Sequence, residues 1–396
     1  MVINSTTELD RELRRLYFYD ELIKGEHYIN HFKRCKNYFK ILKLKDKNLD
    51  YKDIGKILNL PKGLVYRYIK RSKPYLYHLA LSMPDKKLRK GYKLLPLRAK
   101  KGGCIYYDYI EVPIKIKNYK DVLFILKQLG DKNISSKKEA FAYILGFMIS
   151  DTSKPKGYRF SNQFLVSLSR KNDCNLQIGK NICKYFNLLG IKARRINDDD
   201  RIDKLRPNGH YRFISEKSPF IRYLIKSCLK LKNNQLTTYD KVKMEWLLKC
   251  PKDFIINFLQ GAYDGDGCAH NFWRVELSCD PNQDLFLSLL TKLGIISYKD
   301  GDAISISNEK SILKSLKLQI FKYETNRLKS LERLSSKIGN RILIRNLNEN
   351  VKEEIIRLKV NGMSGGEVSE YIFNNQGIGI HPNSINELYR NHLYKS

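Results

Sequence analysis

The chain has 396 residues, with 74 Lys and Arg against 41 Asp and Glu and a formal net charge of +33. That excess points to a polyanionic partner rather than a neutral metabolite, and the length allows two or three domains. No run approaches the roughly 18 apolar residues of a membrane-spanning helix. Met1–Glu8 lacks the basic-then-apolar pattern of a signal peptide, so a cytosolic protein is expected. Eight scattered cysteines without a C-x-x-C pair indicate reduced thiols rather than a zinc site or a disulfide framework.

In chain order, Leu9 to Lys45 reads as amphipathic helix. Tyr51–Leu58 predicts a short helix, Asn59–Pro61 a turn and Lys62–Arg71 a second helix. Ile54, Ile57, Leu58, Leu60, Val65 and Ile69 fall at the core positions of a helix-turn-helix, and small Gly55 lets the two helices meet. Lys62, Tyr66, Arg67 and Lys70 then share the exposed face of the second helix, suited to a DNA groove and its phosphates. The alternative is a helical hairpin of no special role in a basic chain. Cys104–Ile116 alternates as a strand or hairpin, and Asp121–Leu129 is a short helix. Lys100–Gly103 is a candidate phosphate contact, and the polar stretch Asp131–Lys138 is the expected boundary of an N-terminal domain spanning 1–135.

Two stretches then share one plan. Phe141–Asp151 and Phe254–Asp266 are apolar segments, each with small residues four apart, Gly146/Ser150 and Gly261/Gly265. Each ends on an acid at the same offset, since 151 − 146 = 5 and 266 − 261 = 5. Small residues at that spacing let two helices approach backbone to backbone. Gly265 and Gly267 are expected to end the second helix through the backbone angles glycine tolerates. Paired carboxylates at such helix ends can share a divalent metal. A carboxylate at a helix C-terminus otherwise opposes the helix dipole.

The paired stretches resemble the motifs of the LAGLIDADG homing endonucleases. Leu259–Gly267 matches the nine-residue motif at nearly every position, and the upstream copy matches in outline, 266 − 151 = 115 residues earlier. The resemblance implies an α+β fold, with two αββαββα halves forming a pseudo-twofold core over about 136–250 and 251–340. Each half's curved antiparallel sheet would lie along the major groove of double-stranded DNA. It further implies Mg²⁺ or Mn²⁺ held by Asp151 and Asp266, with Asp264 structural. A basic residue is expected near each scissile phosphate, for which Lys154 and Arg170 or Lys171 are candidates. The equivalent place in the second half reads Ser278-Cys279-Asp280, with no base.

The residues between and after the motifs agree with two halves. Gly157–Arg170 reads as two strands, Leu176–Leu189 as helix, Ile191–Ile196 and Gly209–Ser215 as strands, and Pro219–Leu231 as helix. Downstream, Asn271–Cys279 is a strand, Asn282–Leu293 a helix, Ile295–Lys299 with Ala303–Ser307 a hairpin, and helices follow from Ser311. Leu189-Gly190-Ile191 and Leu293-Gly294-Ile295 anchor the repeat, 190 − 146 = 44 and 294 − 261 = 33 residues past the motif glycines. The longer first half is consistent with a loop insertion. Strand alternation nominates Arg159, Asn162, Arg194, Arg212, Arg274 and Lys299 as groove-facing.

Residues 341–396 suggest a second helix-turn-helix. Lys352–Val360 and Gly365–Phe373 are helices, and a last one reaches Arg390, with Pro382 near its start and Asn383 or Ser384 as cap. The expected function is a monomeric, metal-dependent, site-specific endonuclease on double-stranded DNA, without a membrane partner. The main alternative is a DNA-binding transcriptional regulator on the same fold, since bacterial proteins joining such cores to a helix-turn-helix can be regulatory. RNA splicing, also known in the family, is a third reading.

Overall fold

The computed structural model describes residues 3–24, 26–99, 106–129, 133–150, 163–196, 209–231, 241–270 and 273–394. Asp151, Lys154, Arg159, Asn162 and the stretch 100–103 lie outside them.

Six helices come first: α1 (Thr6–Leu13), α2 (Tyr19–Ile23), α3 (Glu26–Lys45), α4 (Tyr51–Leu58), α5 (Lys62–Lys70) and α6 (Tyr75–Leu81). Leu9 and Leu13 of α1, Cys35 and Phe39 of α3, and Leu76 and Leu79 of α6 bury one small core. Ile41, Ile54 and Val65 bury another, between α3 and the α4–α5 hairpin. The carboxylate of Asp50 starts α4 by accepting the N–H groups of Lys52 and Asp53, and Asn59 ends it in the left-handed region at φ 51°. A methyl on Gly55 would lie 2.8 Å from the Leu60 carbonyl, so it is the turn that excludes a side chain there. Ile57, expected in this core, is 59% exposed. Ile41 and Leu44 of α3 form the third wall and leave Ile57 outside.

Strands β1 (Tyr92–Ala99) and β2 (Tyr106–Pro113) pair antiparallel, with Tyr92 opposite Pro113, and α7 (Tyr119–Gln128) follows. Leu95, Leu97, Ile110, Val112, Ile125 and Leu126 belong to the same hydrophobic core as the central helices, so that core reaches back past residue 135.

The first central half comprises α8 (Ile134–Met148), β3 (Leu165–Ser169), α9 (Cys174–Leu188), β4 (Ala193–Ile196), β5 (His210–Ser215) and α10 (Pro219–Tyr223), which continues as a π-helical turn, Leu224–Cys228. The second comprises α11 (Lys252–Asp266), β6 (Gly267–His270), β7 (Arg274–Ser278), α12 (Gln283–Lys292), β8 (Tyr298–Asp300), β9 (Ala303–Ile306), α13 (Glu309–Lys317) and α14 (Thr325–Gly339). The sheets run β3-β5-β4 and β6-β7-β9-β8, all antiparallel, so three strands recur in the same order. The turns after α9 and α12 also match. Gly190 and Gly294 sit at φ 80° and 70°, and the Ile191 and Ile295 N–H groups each donate 2.9 Å back to the fifth residue before, Phe186 and Leu290. The protein is α+β.

Three helices close the chain: α15 (Glu349–Val360), α16 (Gly365–Gln376) and α17 (Pro382–Leu393). They pack on Val351, Ile355, Val368, Ile372 and Ile385. The cap of α17 is His381, whose Nδ1 accepts the Asn383 N–H at 3.2 Å, rather than Asn383 or Ser384. Pro382 takes the first helical position, where its missing N–H costs nothing, so the cap falls on the residue before it, two upstream of Asn383. This unit is fastened to α14, where Arg333 and Lys337 pair with Glu370. A methyl on Gly379 would fall 1.9 Å from the Lys337 carbonyl.

Candidate active site and nucleic-acid interface

Helices α8 and α11 form the centre of the core, and their crossing is reciprocal. A methyl on Gly146 would stand 1.9 Å from the Phe258 carbonyl oxygen, and one on Gly261 would stand 2.1 Å from that of Tyr143. Each glycine thus meets the residue three before the other, since 261 − 258 = 3 and 146 − 143 = 3. The neighbouring N–H groups, of Ala262 and Phe147, are each one past a glycine and complete the pattern. Phe141 packs on Phe254 before the crossing, so the helices run in the same sense and end on the same side. The upstream helix ends at Met148, and in the turn after it Ser150 is buried and donates its hydroxyl to the Phe147 carbonyl at 3.1 Å.

Asp266 is the last residue of α11 and is half-buried. The helix thus runs past Gly265. Gly267 follows at φ −76°, an ordinary extended angle, and not in the left-handed region expected of it. Glycine is needed there for room, because a methyl would lie 2.6 Å from the Tyr263 carbonyl and 2.9 Å from the Phe321 ring. Burial pushes the Asp266 carboxyl up to about 6, against the opposing pull of the Arg327 guanidinium. Arg327, from α14, donates Nη1 to the carbonyls of Tyr263 (3.1 Å), Asp264 (3.3 Å) and Gly265 (2.9 Å). It therefore caps the negative end of α11, where a cation is favoured. Nothing local in the sequence marks Arg327, which lies 327 − 266 = 61 residues beyond the acid it serves.

Asp264 is fully engaged. It accepts the Tyr143 hydroxyl across the helix pair at 2.7 Å, and the backbone N–H groups of Lys322 (2.8 Å), Tyr323 (3.0 Å) and Glu324 (3.2 Å). Burial raises its carboxyl to about 6 while these donors hold it down. Its lone pairs are taken by Tyr143 and by the turn that leads into α14, which leaves Asp266 as the described motif acid able to accept a ligand.

Lys171 is exposed just past β3, and Arg170 is turned inward, donating Nε to the His210 carbonyl at 3.3 Å. By strand order β3 corresponds to β7, so Lys171 corresponds to the exposed Asp280, since 171 − 169 = 280 − 278. The C-terminal end of β7 returns beside Asp266, because Leu277 pairs with Gly267. The second half thus has an acid where the first has Lys171, and takes its cation from Arg327.

The two sheets present different outer faces. In the first, Val166, Leu168 and Phe213 face the core, and register places Ser167, Arg212, Ile214 and Arg194 on the opposite face. In the second, Val275, Leu277 and Ile304 are buried, so Arg274, Glu276, Ser305, Tyr298 and Asp300 share the outer side. Arg274 is held there by Glu276 at 2.8 Å and Asp300 at 3.1 Å. Lys299, expected on the groove face, pairs in register with buried Ile304 and therefore points to the helix layer, where Asp284 of α12 binds it at 2.8 Å. On α5, Lys62, Tyr66, Arg67 and Lys70 all lie exposed on one side. Among the described residues no helix is long and apolar enough to cross a membrane.

An acid at a helix end, raised by burial and offering hard oxygen, suits a hydrated divalent ion. No group of three His, Cys, Asp or Glu gathers among the described residues, so a full protein cage is not formed by them. Mg²⁺ needs only one or two carboxylates and keeps its waters. Asp266 fits that requirement.

No family model and no curated protein matches the chain. Solved structures that resemble it include full-length DUF199/WhiA from Thermatoga maritima, at 13% identity, covering 68% of this chain and 95% of that one, TM-score 0.33. The N-terminal LAGLIDADG domain of DUF199/WhiA is similar at 13% identity over 54% of this chain and 99% of its own, TM-score 0.31. The homing endonuclease I-DmoI in complex with DNA and Ca is similar at 18% identity, over 50% and 99%, TM-score 0.35. At such distances the functional reading rests on the chain's own helix pair, sheets and charges.

Proposed function

We propose that the protein is a site-specific endonuclease of the LAGLIDADG type that hydrolyses both strands of duplex DNA with Mg²⁺ or Mn²⁺, as a monomer with internal pseudo-symmetry. One observation carries this reading. The parallel helices α8 and α11 cross reciprocally at Gly146 and Gly261, and the chain bears an acid five residues past each glycine. Asp151 and Asp266 would hold the ion. When bound, it supplies an activated water and neutralises charge on the scissile phosphate. Arg327 fixes the carbonyls that end α11 and so orients Asp266. Lys171, with Lys154, is the proposed basic group beside the phosphate in the first half. Arg194 and Arg212 hold backbone phosphates against the first sheet, and Arg274 lies on the second sheet's base-reading face. Lys62, Tyr66, Arg67 and Lys70 bind a further segment of the duplex.

The test is incubation with a randomised duplex library and Mg²⁺ or Mn²⁺, followed by sequencing of cut ends and bound fragments. Cut ends at one sequence, lost on Asp266→Asn, support the reading. A second reading, a non-cleaving transcriptional regulator, draws on the guanidinium already standing beside Asp266, which meets part of the charge a metal would otherwise supply. Tight binding of one sequence without a cut or a nick in either metal would select it.

A further inference from the structure

The joint between the second half and the C-terminal helices carries two adjoining clefts, of about 820 and 510 Å³, that share Ser307 and His381. The larger is lined by Lys310, Lys314 and Arg341 against one carboxylate, Glu309, which pairs with Arg341. Lys310 and Lys314 sit four apart on α13 and so share a face. Like charges at that spacing repel, and Lys310 also opposes the positive end of the helix dipole. A bound anion relieves both.

The smaller cleft is lined by Trp273, Arg274 and the first residues of α16 and α17. Trp273 is 1% exposed and held in the left-handed region at φ 63°, with Arg341 over its ring and His381 against its edge. Its indole N–H has no acceptor among the described residues. A buried donor without a partner costs about 1–3 kcal/mol.

Both clefts lie at the end of the second sheet remote from Asp266. Strand β6 leaves Asp266 and rises about 13 Å over its four residues, and its last residue, His270, pairs with Arg274, the neighbour of Trp273. We propose that this joint is a phosphate-binding seam, which grips the backbone of duplex DNA where it leaves the second sheet and passes to α16 and α17. The inference rests on the DNA-binding reading above and adds to it a one-sided extension. Helix α17, with 12 residues, is about 18 Å long, which corresponds to about five base pairs.

The test compares the parent with Lys310→Gln/Lys314→Gln, both surface changes, on a 40-base-pair duplex of random sequence. Two lost phosphate contacts should lower the slope of log affinity against log salt by about 1.8. Between 50 and 200 mM salt the variant should then lose about tenfold less affinity than the parent. On a selected duplex, hydroxyl-radical protection should shorten by about five base pairs on one side only. An unchanged slope and footprint in a variant with the parent's melting temperature overturn the seam while sparing the DNA reading. A parent that binds no duplex overturns both. If millimolar inorganic phosphate raises the melting temperature of the parent and not of the variant while both bind duplex with the same slope, the clefts hold a small anion and not a DNA strand.

Discussion

The first and second sheets of the core share their strand order and differ in what they show to solvent. Across the first, Arg194 and Arg212 stand on one face among Ser167 and Ile214. Across the second, Arg274 is closed into a ring with Glu276 and Asp300, and Ser305 donates its hydroxyl to Glu276 at 3.0 Å. The buried crossing of α8 and α11 is nearly symmetric because close backbone contact leaves one solution, glycine, on each helix. The exposed faces carry no such constraint and differ. An arginine already neutralised by two acids is held in one pose and gains little from phosphate. On the proposed DNA-binding reading, Arg274 is thereby suited to reading a base edge rather than to holding the backbone.

The largest effect tests the symmetric part. Gly146→Ala and Gly261→Ala should each disrupt folding to a similar degree, by more than about 3 kcal/mol, since each methyl meets backbone that cannot step aside. Gly63→Ala in α5, where nothing lies within 4 Å, should be neutral or stabilising by up to about 1 kcal/mol. Thermal melts of the three variants compare them directly. If one core glycine tolerates alanine and the other does not, the two halves are not equivalent even at their centre.

The next effect concerns the unequal cations of the two halves. Arg327→Met should lower cleavage of one strand by about 10²-fold, of the order seen when a charge-stabilising donor is removed. Lys171→Met should slow the other strand. Asp266→Asn should abolish double-strand cleavage. Strand-resolved gels, alongside calorimetric titration of Mn²⁺ into each variant, separate loss of chemistry from loss of ion. Equal slowing of both strands by Arg327→Met would mean that it supports the fold generally rather than one site.

Much of this centre can be read from the chain, because a glycine five residues before an acid, twice, has few other uses. The rest escapes for identifiable reasons. Arg327 reaches α11 from a helix 61 residues downstream, and no periodicity connects them. Pro96 lies within β1, opposite Tyr109, and conceals a strand whose partner β2 is legible. Lys299 alternates correctly for a strand, but alternation alone does not say which face is buried, and only pairing with Ile304 sets it toward Asp284. The cap of α17 at His381 depends on a ring nitrogen, which sequence rules for Ser, Thr, Asp and Asn do not anticipate.

A smaller effect separates the two outer faces. Arg194→Gln/Arg212→Gln should reduce the salt slope of DNA binding by about 1.8, for two phosphates no longer neutralised. Arg274→Gln should leave that slope nearly unchanged and instead relax preference at one base pair, because its charge is already matched by Glu276 and Asp300. Selection of bound sequences at fixed salt reads the second effect, and salt titration the first. A large slope change for Arg274→Gln would show that DNA binding opens the ring.

The smallest effect lies where the second half carries the C-terminal helices. Glu370 of α16 joins Arg333 and Lys337 of α14 and helps to fix the C-terminal helices in place. Burial alone would raise its carboxyl, but the Lys337 ammonium and the Arg333 guanidinium hold it below its usual range. For an acid depressed in the folded state, the stabilisation is complete above the unfolded value, about 4.3, and fades as pH falls through the folded value. Glu370→Gln keeps an oxygen to accept from Lys337 and loses the charge. It should therefore loosen α15–α17 by about 1 kcal/mol at pH 7, with the gap to the parent closing below about pH 4. Hydrogen exchange of the α16 amides across that range measures the gap without unfolding the core. A gap that stays constant with pH would assign Glu370 to packing alone, and the fixed orientation of the appendage would then rest on the close contact of Gly379 with the Lys337 carbonyl.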